Sequence, residues 1–245
     1  MAYDQNQPLG IIGAMDVEVE RLVAQVEDAR VTRHARMDFT EGTLFGLPVV
    51  VVRCGVGKVH AAACVQSLVD LFGVTHVVNT GAAGSLDARL DIGDILVSLD
   101  VVHHDVDATN FGYAPGEVPG SGMEAYPADD ALIAAVQQAV QEAGASCAVG
   151  RVATGDSFVR DAAEKDRIAR TFQARCCEME GAAIAQACWL NDVPFVVVRA
   201  ISDKADGSDA LDYPIFERRA AHACSEIVMA LARLFARDAS ATSLR

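Results

Sequence analysis

The chain has 245 residues, of which 51% are hydrophobic and 22% charged, and its formal net charge is −14. Such a composition supports a large buried core and excludes global disorder. A surface this acidic repels phosphate backbones, which disfavours nucleic acid as a partner.

In chain order, Leu9-Gly10-Ile11-Ile12-Gly13-Ala14-Met15 reads as a buried strand ending at a glycine turn. Asp16 then opens a helix with Glu18 and Glu20 in its first turn, where acidic residues complement the helix dipole. No basic residue precedes Arg21 there, so this turn is unsuited to a phosphate and better suited to activating water. From about Val31 to Arg53 the residues alternate and carry glycine and proline punctuation, and Phe39 to Val52 predicts a hairpin-like pair of strands. Cys54-Gly55-Val56-Gly57-Lys58-Val59 is a glycine-rich turn into a helix from Val59 to Leu71. It lacks the P-loop spacing and the third glycine of a dinucleotide fingerprint, and close backbone approach to a small ligand is the better reading.

Thr75 to Thr80 is a short buried strand leading into Gly81-Ala82-Ala83-Gly84-Ser85, and Ile92 to Ser98 is a further strand. His103 and His104 are adjacent in an extended segment and face opposite sides, so no shared metal ion is expected. The stretch Ala108 to Pro127, rich in glycine and proline, reads as a lid, a binding loop or part of an interface. Asp129 caps a helix from Ala131 to Ala143, and a strand from Val149 to Ala153 leads to Thr154-Gly155-Asp156-Ser157-Phe158-Val159. Phe158 there either stacks on a planar ligand or simply packs. A charged helix follows from Asp161 to Phe172.

Glu178 and Glu180 precede a helix of small apolar residues, 182–188. They serve that helix's dipole or, pointing to one side of an extended approach, bind ligand hydroxyls. Pro194 to Ile201 is an apolar, β-branched run suited to a strand buried on both faces, ending in Ser202 and Asp203. Asp203 is either a turn cap or, beyond the carboxyl end of a parallel strand, a catalytic acid. A last helix spans about Asp212 to Phe235, with Ala236 to Arg245 as a frayed tail.

No repeat or composition break appears. The expected fold is a single α/β domain over 8–236, three-layer α/β/α with a twisted central mixed sheet, between flexible termini 1–7 and 237–245. The seven cysteines are odd in number, without C-x-x-C spacing, and lie mostly in apolar segments. They fit reduced thiols in a cytoplasmic protein, and zinc lacks its paired ligands. Met1 to Gln7 show no signal-peptide pattern, and no apolar run is long enough to span a membrane.

Gly10-Ile11-Ile12-Gly13-Ala14-Met15, Glu18, Gly55-Val56-Gly57-Lys58-Val59, Asn79-Thr80-Gly81, Glu178-Met179-Glu180 and Arg199-Ala200-Ile201-Ser202-Asp203 occur in that order. The ordered set resembles the 5′-methylthioadenosine/S-adenosylhomocysteine nucleosidases of the purine nucleoside phosphorylase superfamily, from Leu9 to about Phe235. The resemblance implies a nucleoside phosphorylase-like sheet, a small nucleoside substrate, no cofactor and a homodimer. It implies that Glu18 activates the hydrolytic water and that Asp203, positioned by Ser202, assists purine departure at N7. Met179 and Glu180 then lie beside the ribose, with Glu180 on its hydroxyls. Phe158 stacks on the adenine and the Val159 backbone holds it. Val56 and Gly57 lie near the ribose and the nucleoside tail. Phe111 and Pro119 reach the neighbouring subunit's pocket. Ala82 stands where the family often has a serine near the water and ribose.

Three rivals differ in chemistry. A phosphorylase of the same superfamily needs a basic phosphate pocket, which the acidic first turn opposes. A nucleosidase for another adenine nucleoside, such as 6-amino-6-deoxyfutalosine, fits the same residues. A non-catalytic nucleoside-binding module would have no need of Glu18, Glu180 and Asp203 together.

Overall fold

The computed structural model describes residues 7–205 and 213–242. The expected helix start at Asp212 and the extreme termini lie outside the described residues. The core is laid down by β1 (Leu9–Gly13), β4 (Leu47–Arg53), β5 (His76–Ser85) and β10 (Phe195–Asp203), which run parallel in the order β4-β1-β5-β10. The runs of β1, β4 and the first half of β10 are almost wholly apolar because helices cover both faces. One row across them, Val51–Ile11–Val78–Val196, is fully buried. Each such side chain contributes about 1.5–3 kcal/mol.

Helices α2 (Lys58–Phe72) and α5 (Gly181–Leu190) pack together on one side. Helices α1 (Asp16–Val23) and α3 (Asp130–Glu142) both pack on α6 (Tyr213–Thr242), which lies along β5 and β10. As expected, Asp129 caps α3, its Oδ1 accepting the N–H groups of Ala131 and Leu132 at 3.0 Å each. No described helix is long and apolar enough to cross a membrane.

The sheet is mixed, and part of it closes on itself. β5 pairs with β10, β10 with β6 (Ile95–His103), β6 with β8 (Cys147–Thr154), β8 with β9 (Cys176–Glu178), and β9 returns to β5. These five strands make a ring, and β1, β4, β3 (Met37–Leu44) and β2 (Glu27–His34) extend from it. The ring rests on a narrow seam: β9 meets β5 only at Gly84–Cys177 and Ser85–Cys176.

Some boundaries differ from expectation. The expected hairpin is a three-stranded meander, because β2 precedes it as a charged, mostly exposed edge strand with no apolar alternation to reveal it. β6 begins three residues later than expected and continues to His103, with a register shift between Ser98 and Val101. The long loop holds a short 3-10 turn, Thr109–Phe111, and a two-residue strand β7 (Tyr126–Pro127) on β6. α6 runs to Thr242, past the expected start of a tail at Ala236.

Candidate active site

The parallel strands β4, β1, β5 and β10 deliver their carboxyl ends to one edge of the sheet, the edge where α/β sheets bind ligands. The turns beyond them wall a cavity of about 690 Å³, within the roughly 300–1,000 Å³ usual for small-molecule sites.

Glu18 reaches this cavity from the first turn of α1 and is only 2% exposed. Its Oε2 accepts the N–H groups of Ala14 at 2.7 Å and Met15 at 3.0 Å, and its Oε1 accepts that of Ala82 at 2.9 Å. Burial raises its pKa above the usual carboxylate range, against the opposing pull of Arg199 and those three N–H groups. The contact from Ala82 is made by its backbone, so the seat of Glu18 does not depend on which side chain stands there. Gly81 is a different matter. A Cβ there would collide with Glu18 Oε1 and Arg199 Nη1.

Arg199 organises the centre. It sits within the apolar run of β10, 1% exposed. Its Nη2 donates to Asn79 Oδ1 at 2.6 Å and to Glu178 Oε2, its Nη1 lies 3.4 Å from the Ala82 carbonyl, and Glu180 Oε2 is 3.6 Å away. One guanidinium therefore faces Glu178, Glu180 and, by its charge, Glu18.

Of the two uses expected of Glu178, its hydrogen bonds are those of the first, service to the N-terminus of the following helix. Its Oε1 accepts the Thr154 hydroxyl, and its Oε2 accepts Arg199 and the N–H groups of Glu180 at 3.1 Å and Gly181 at 2.8 Å. With its acceptor sites so occupied, Glu178 orients Arg199 and the start of α5. Glu180 remains available: its Oε1 accepts the Gly57 N–H at 2.8 Å, and Arg199 is its other neighbour. Its pKa is raised, by burial first and then by repulsion from Glu178, against Arg199 and the Gly57 N–H.

Asp203 closes the cavity at the β10 end. Its Oδ2 accepts Lys165 Nζ at 2.6 Å, and its Oδ1 lies 3.1 Å from Ser202 Oγ, which is itself 3.2 Å from the Ala83 carbonyl. Glu18 and Asp203 thus flank β5. One carboxylate rests on the Ala82 N–H and the other lies against Gly84. Those seats are two residues apart, roughly 6.6 Å along a strand. Met179, Phe158, which is 51% exposed, and Val159 line the same cavity. Val56, beyond β4, is on the side away from Asp203, as the strand order requires.

The sequence-expected residues Glu18, Val56, Ala82, Phe158, Val159, Glu178, Met179, Glu180, Ser202 and Asp203 all line one cavity. Gly57 joins through its bond to Glu180. Phe111, 78% exposed, and Pro119, also exposed, do not wall this chain's own cavity. His103 Nε2 lies 3.0 Å from Gln186 Oε1, and His104 packs on Gly155. Among the described residues no three His, Cys, Asp or Glu side chains are grouped to hold a metal.

Four charged residues of the site had no role in the sequence reading: Arg199, Arg160, Lys165 and Glu217. Arg199 was detectable as a lone charge in a valine-rich strand. Lys165 falls three residues before Ile168 and seven before Phe172, on the buried stripe of a charged helix. Glu217, on α6, gave no signal.

The sequence pattern of the Phosphorylase superfamily matches residues 8–233. The 5′-methylthioadenosine/S-adenosylhomocysteine nucleosidase of Shewanella sediminis is 42% identical over 225 residues, covering 91% of this chain and 97% of its own. The crystal structure of the Neisseria meningitidis nucleosidase of that name, in complex with methylthio-immucillin-A, superposes with a TM-score of 0.89 at 35% identity, covering 93% of this chain and 99% of that one. The futalosine hydrolase of Helicobacter pylori is also similar, with a TM-score of 0.87 at 31% identity over 92% of this chain and 97% of that one.

Proposed function

This chain belongs to the Phosphorylase superfamily, and on that premise we propose a division of labour among its residues in hydrolysing an adenine nucleoside. The protein is a nucleosidase: it cleaves the N-glycosidic bond of 5′-methylthioadenosine and S-adenosylhomocysteine and releases adenine. The observation that carries hydrolysis over phosphorolysis is the seat of Glu18. Glu18 is a buried carboxylate on the cavity wall, and the cation beside it, Arg199, is already bound to Glu178 and Asn79. An incoming phosphate would meet negative charge, whereas a water would meet a base.

In this reading Asp203 assists departure of the purine at N7 while the C1′–N9 bond lengthens. The ribosyl group gains positive charge, which Glu18 and Glu180 stabilise electrostatically. Glu18 takes a proton from the water that attacks C1′ on the opposite face. This is the logic of an inverting glycosidase, whose two carboxyl groups stand roughly 6.5–9.5 Å apart to admit that water. Glu180 accepts the ribose hydroxyls, Phe158 and Val159 hold the adenine, and Val56 borders the 5′ substituent.

The test is adenine release from 5′-methylthioadenosine, S-adenosylhomocysteine and 6-amino-6-deoxyfutalosine, with and without phosphate. Adenine and free ribosyl product, independent of phosphate, are expected from the first two. Formation of a ribose 1-phosphate would overturn hydrolysis, and turnover of the futalosine analogue alone would reassign the substrate.

Two expected results concern the site directly. Gly81→Ala must displace Glu18 or Arg199, and a misplacement of that order lowers kcat/KM by about 10²-fold; steady-state kinetics check it. The second concerns pH. Glu18 must be ionised to act as a base, and burial raises its pKa above the usual glutamate value of about 4.5. Activity should therefore fall with decreasing pH while still above that value, and a kcat/KM profile whose acidic limb lies at or below it would contradict the base role.

The assembly proposed is a homodimer in which Phe111 and Pro119 complete the partner's pocket, supported by their exposure and by their lying outside the lining of this chain's own cavity. Phe111→Ala is expected to raise KM more than it lowers kcat, with the dimer preserved in sedimentation velocity; a monomeric wild-type enzyme would refute it. Seven free cysteines, six of them buried, support a reducing, cytoplasmic setting.

A further inference from the structure

Lys165 belongs to none of the steps above, yet it is the most deeply placed ammonium among the described residues of the site. It lies on α4 (Ala162–Phe172) with its side chain 3% exposed, on the face shared with Ile168 and Phe172. That face packs on a small apolar cluster containing Leu86, Val102 and Cys177. The ammonium donates to Asp203 Oδ2 at 2.6 Å and to the Lys204 carbonyl at 2.7 Å. Asp203 is gripped on its other side as well, with Oδ1 3.1 Å from Ser202 Oγ. Beneath it the β5 backbone comes close, so that a Cβ on Gly84 would stand 3.1 Å from both carboxylate oxygens.

Removing an ammonium from water is costly, and a buried ion pair seldom repays that cost relative to apolar packing. A methionine would fill the same stripe of α4 without the penalty. The pairing instead fixes one orientation of one carboxylate. We infer that Lys165 is a positioning residue for the acid: it anchors Asp203 Oδ2, so that the carboxyl group is presented to the departing purine in a single orientation. This rests on the reading of Asp203 as the group that assists purine departure. Lys165 does not touch the substrate; it acts through Asp203. Ser202 supplies the second anchor and Gly84 the clearance.

The test compares two leaving groups. One substrate is 5′-methylthioadenosine, whose purine needs protonation to leave. The other carries p-nitrophenol in place of adenine on the same methylthioribosyl group, and leaves as an anion without an acid. Steady-state kcat and KM are measured for wild type, Asp203→Asn, Lys165→Met and Lys165→Gln. Lys165→Met is expected to lose about 10²-fold in kcat on the purine substrate, with KM little changed and the nitrophenyl substrate cleaved at nearly the wild-type rate. Lys165→Gln should show the same selectivity with a smaller loss, and it decides the matter if thermal melting shows that the methionine variant does not fold. Equal losses on both substrates, or no loss on either, overturn the role of Lys165. If Asp203→Asn itself shows no selectivity between the leaving groups, it is the acid assignment that fails.

Discussion

Asp203→Asn is expected to lower kcat for adenine release by about 10²–10⁴-fold, the usual contribution of a general acid, while substrate affinity changes by less than tenfold. The reason lies in the leaving group. Adenine departs poorly as an anion, and an amide in place of the carboxyl group can donate a hydrogen bond to N7 but cannot transfer a proton to it. The substitution is nearly isosteric, so Phe158, Val159 and Met179 keep their places on the cavity wall. It has a second consequence. Lys165 loses its counter-charge and keeps only neutral acceptors, the amide oxygen at the Oδ2 position and the Lys204 carbonyl. A buried ammonium without its counter-charge is destabilising, so the variant should also melt at a lower temperature than wild type. Single-turnover chemistry and equilibrium binding of a substrate analogue separate the two effects. Turnover within a few-fold of wild type would remove Asp203 from the mechanism.

Glu18→Gln is expected to have an effect of similar size, about 10²–10⁴-fold in kcat, through the opposite face of the reaction. Glutamine has the right shape but cannot accept the proton of the attacking water. Its seat also resists the change. Glu18 accepts three backbone N–H groups, two on Oε2 and one on Oε1. If the glutamine carbonyl takes the place of Oε2, its NH₂ group confronts the Ala82 N–H, donor against donor. A buried donor left unpaired costs about 1–3 kcal/mol. Reduced stability should therefore accompany the lost turnover, and chemical denaturation measures it. The ribose and purine contacts remain, so analogue binding should persist. Near-wild-type hydrolysis by this variant would exclude Glu18 as the base.

Much of the scaffold was legible along the chain because burial on both faces of a parallel strand demands long apolar runs. Leu9 to Gly13 and Phe195 to Ile201 could be read as strands for that reason, and both are. The carboxylates just beyond such runs were legible too, since they mark where the apolar pattern stops. β2 was not, because an exposed edge strand needs no apolar pattern. The ring closure through Cys176 and Cys177 was not legible either, since a three-residue strand carries too little pattern to announce its partners.

The sequence by itself determined the alternation of strands and helices, the strand ends where Glu18, Glu180 and Asp203 stand, and the ordered motifs of the superfamily. These follow from local periodicity and from residue type. Only the tertiary structure decided which carboxylate is free to work. Glu178 and Glu180 are two residues apart and alike in type. Yet Glu178 is bound by Thr154, 24 positions away, and Arg199, 21 away, while Glu180 is left with the Gly57 N–H and the edge of the guanidinium. Arg199 reaches back 120 positions to Asn79, and Lys165 meets Asp203 across 38. Hydrogen-bond saturation and desolvation set what a carboxylate can do, and both depend on neighbours that only folding brings together.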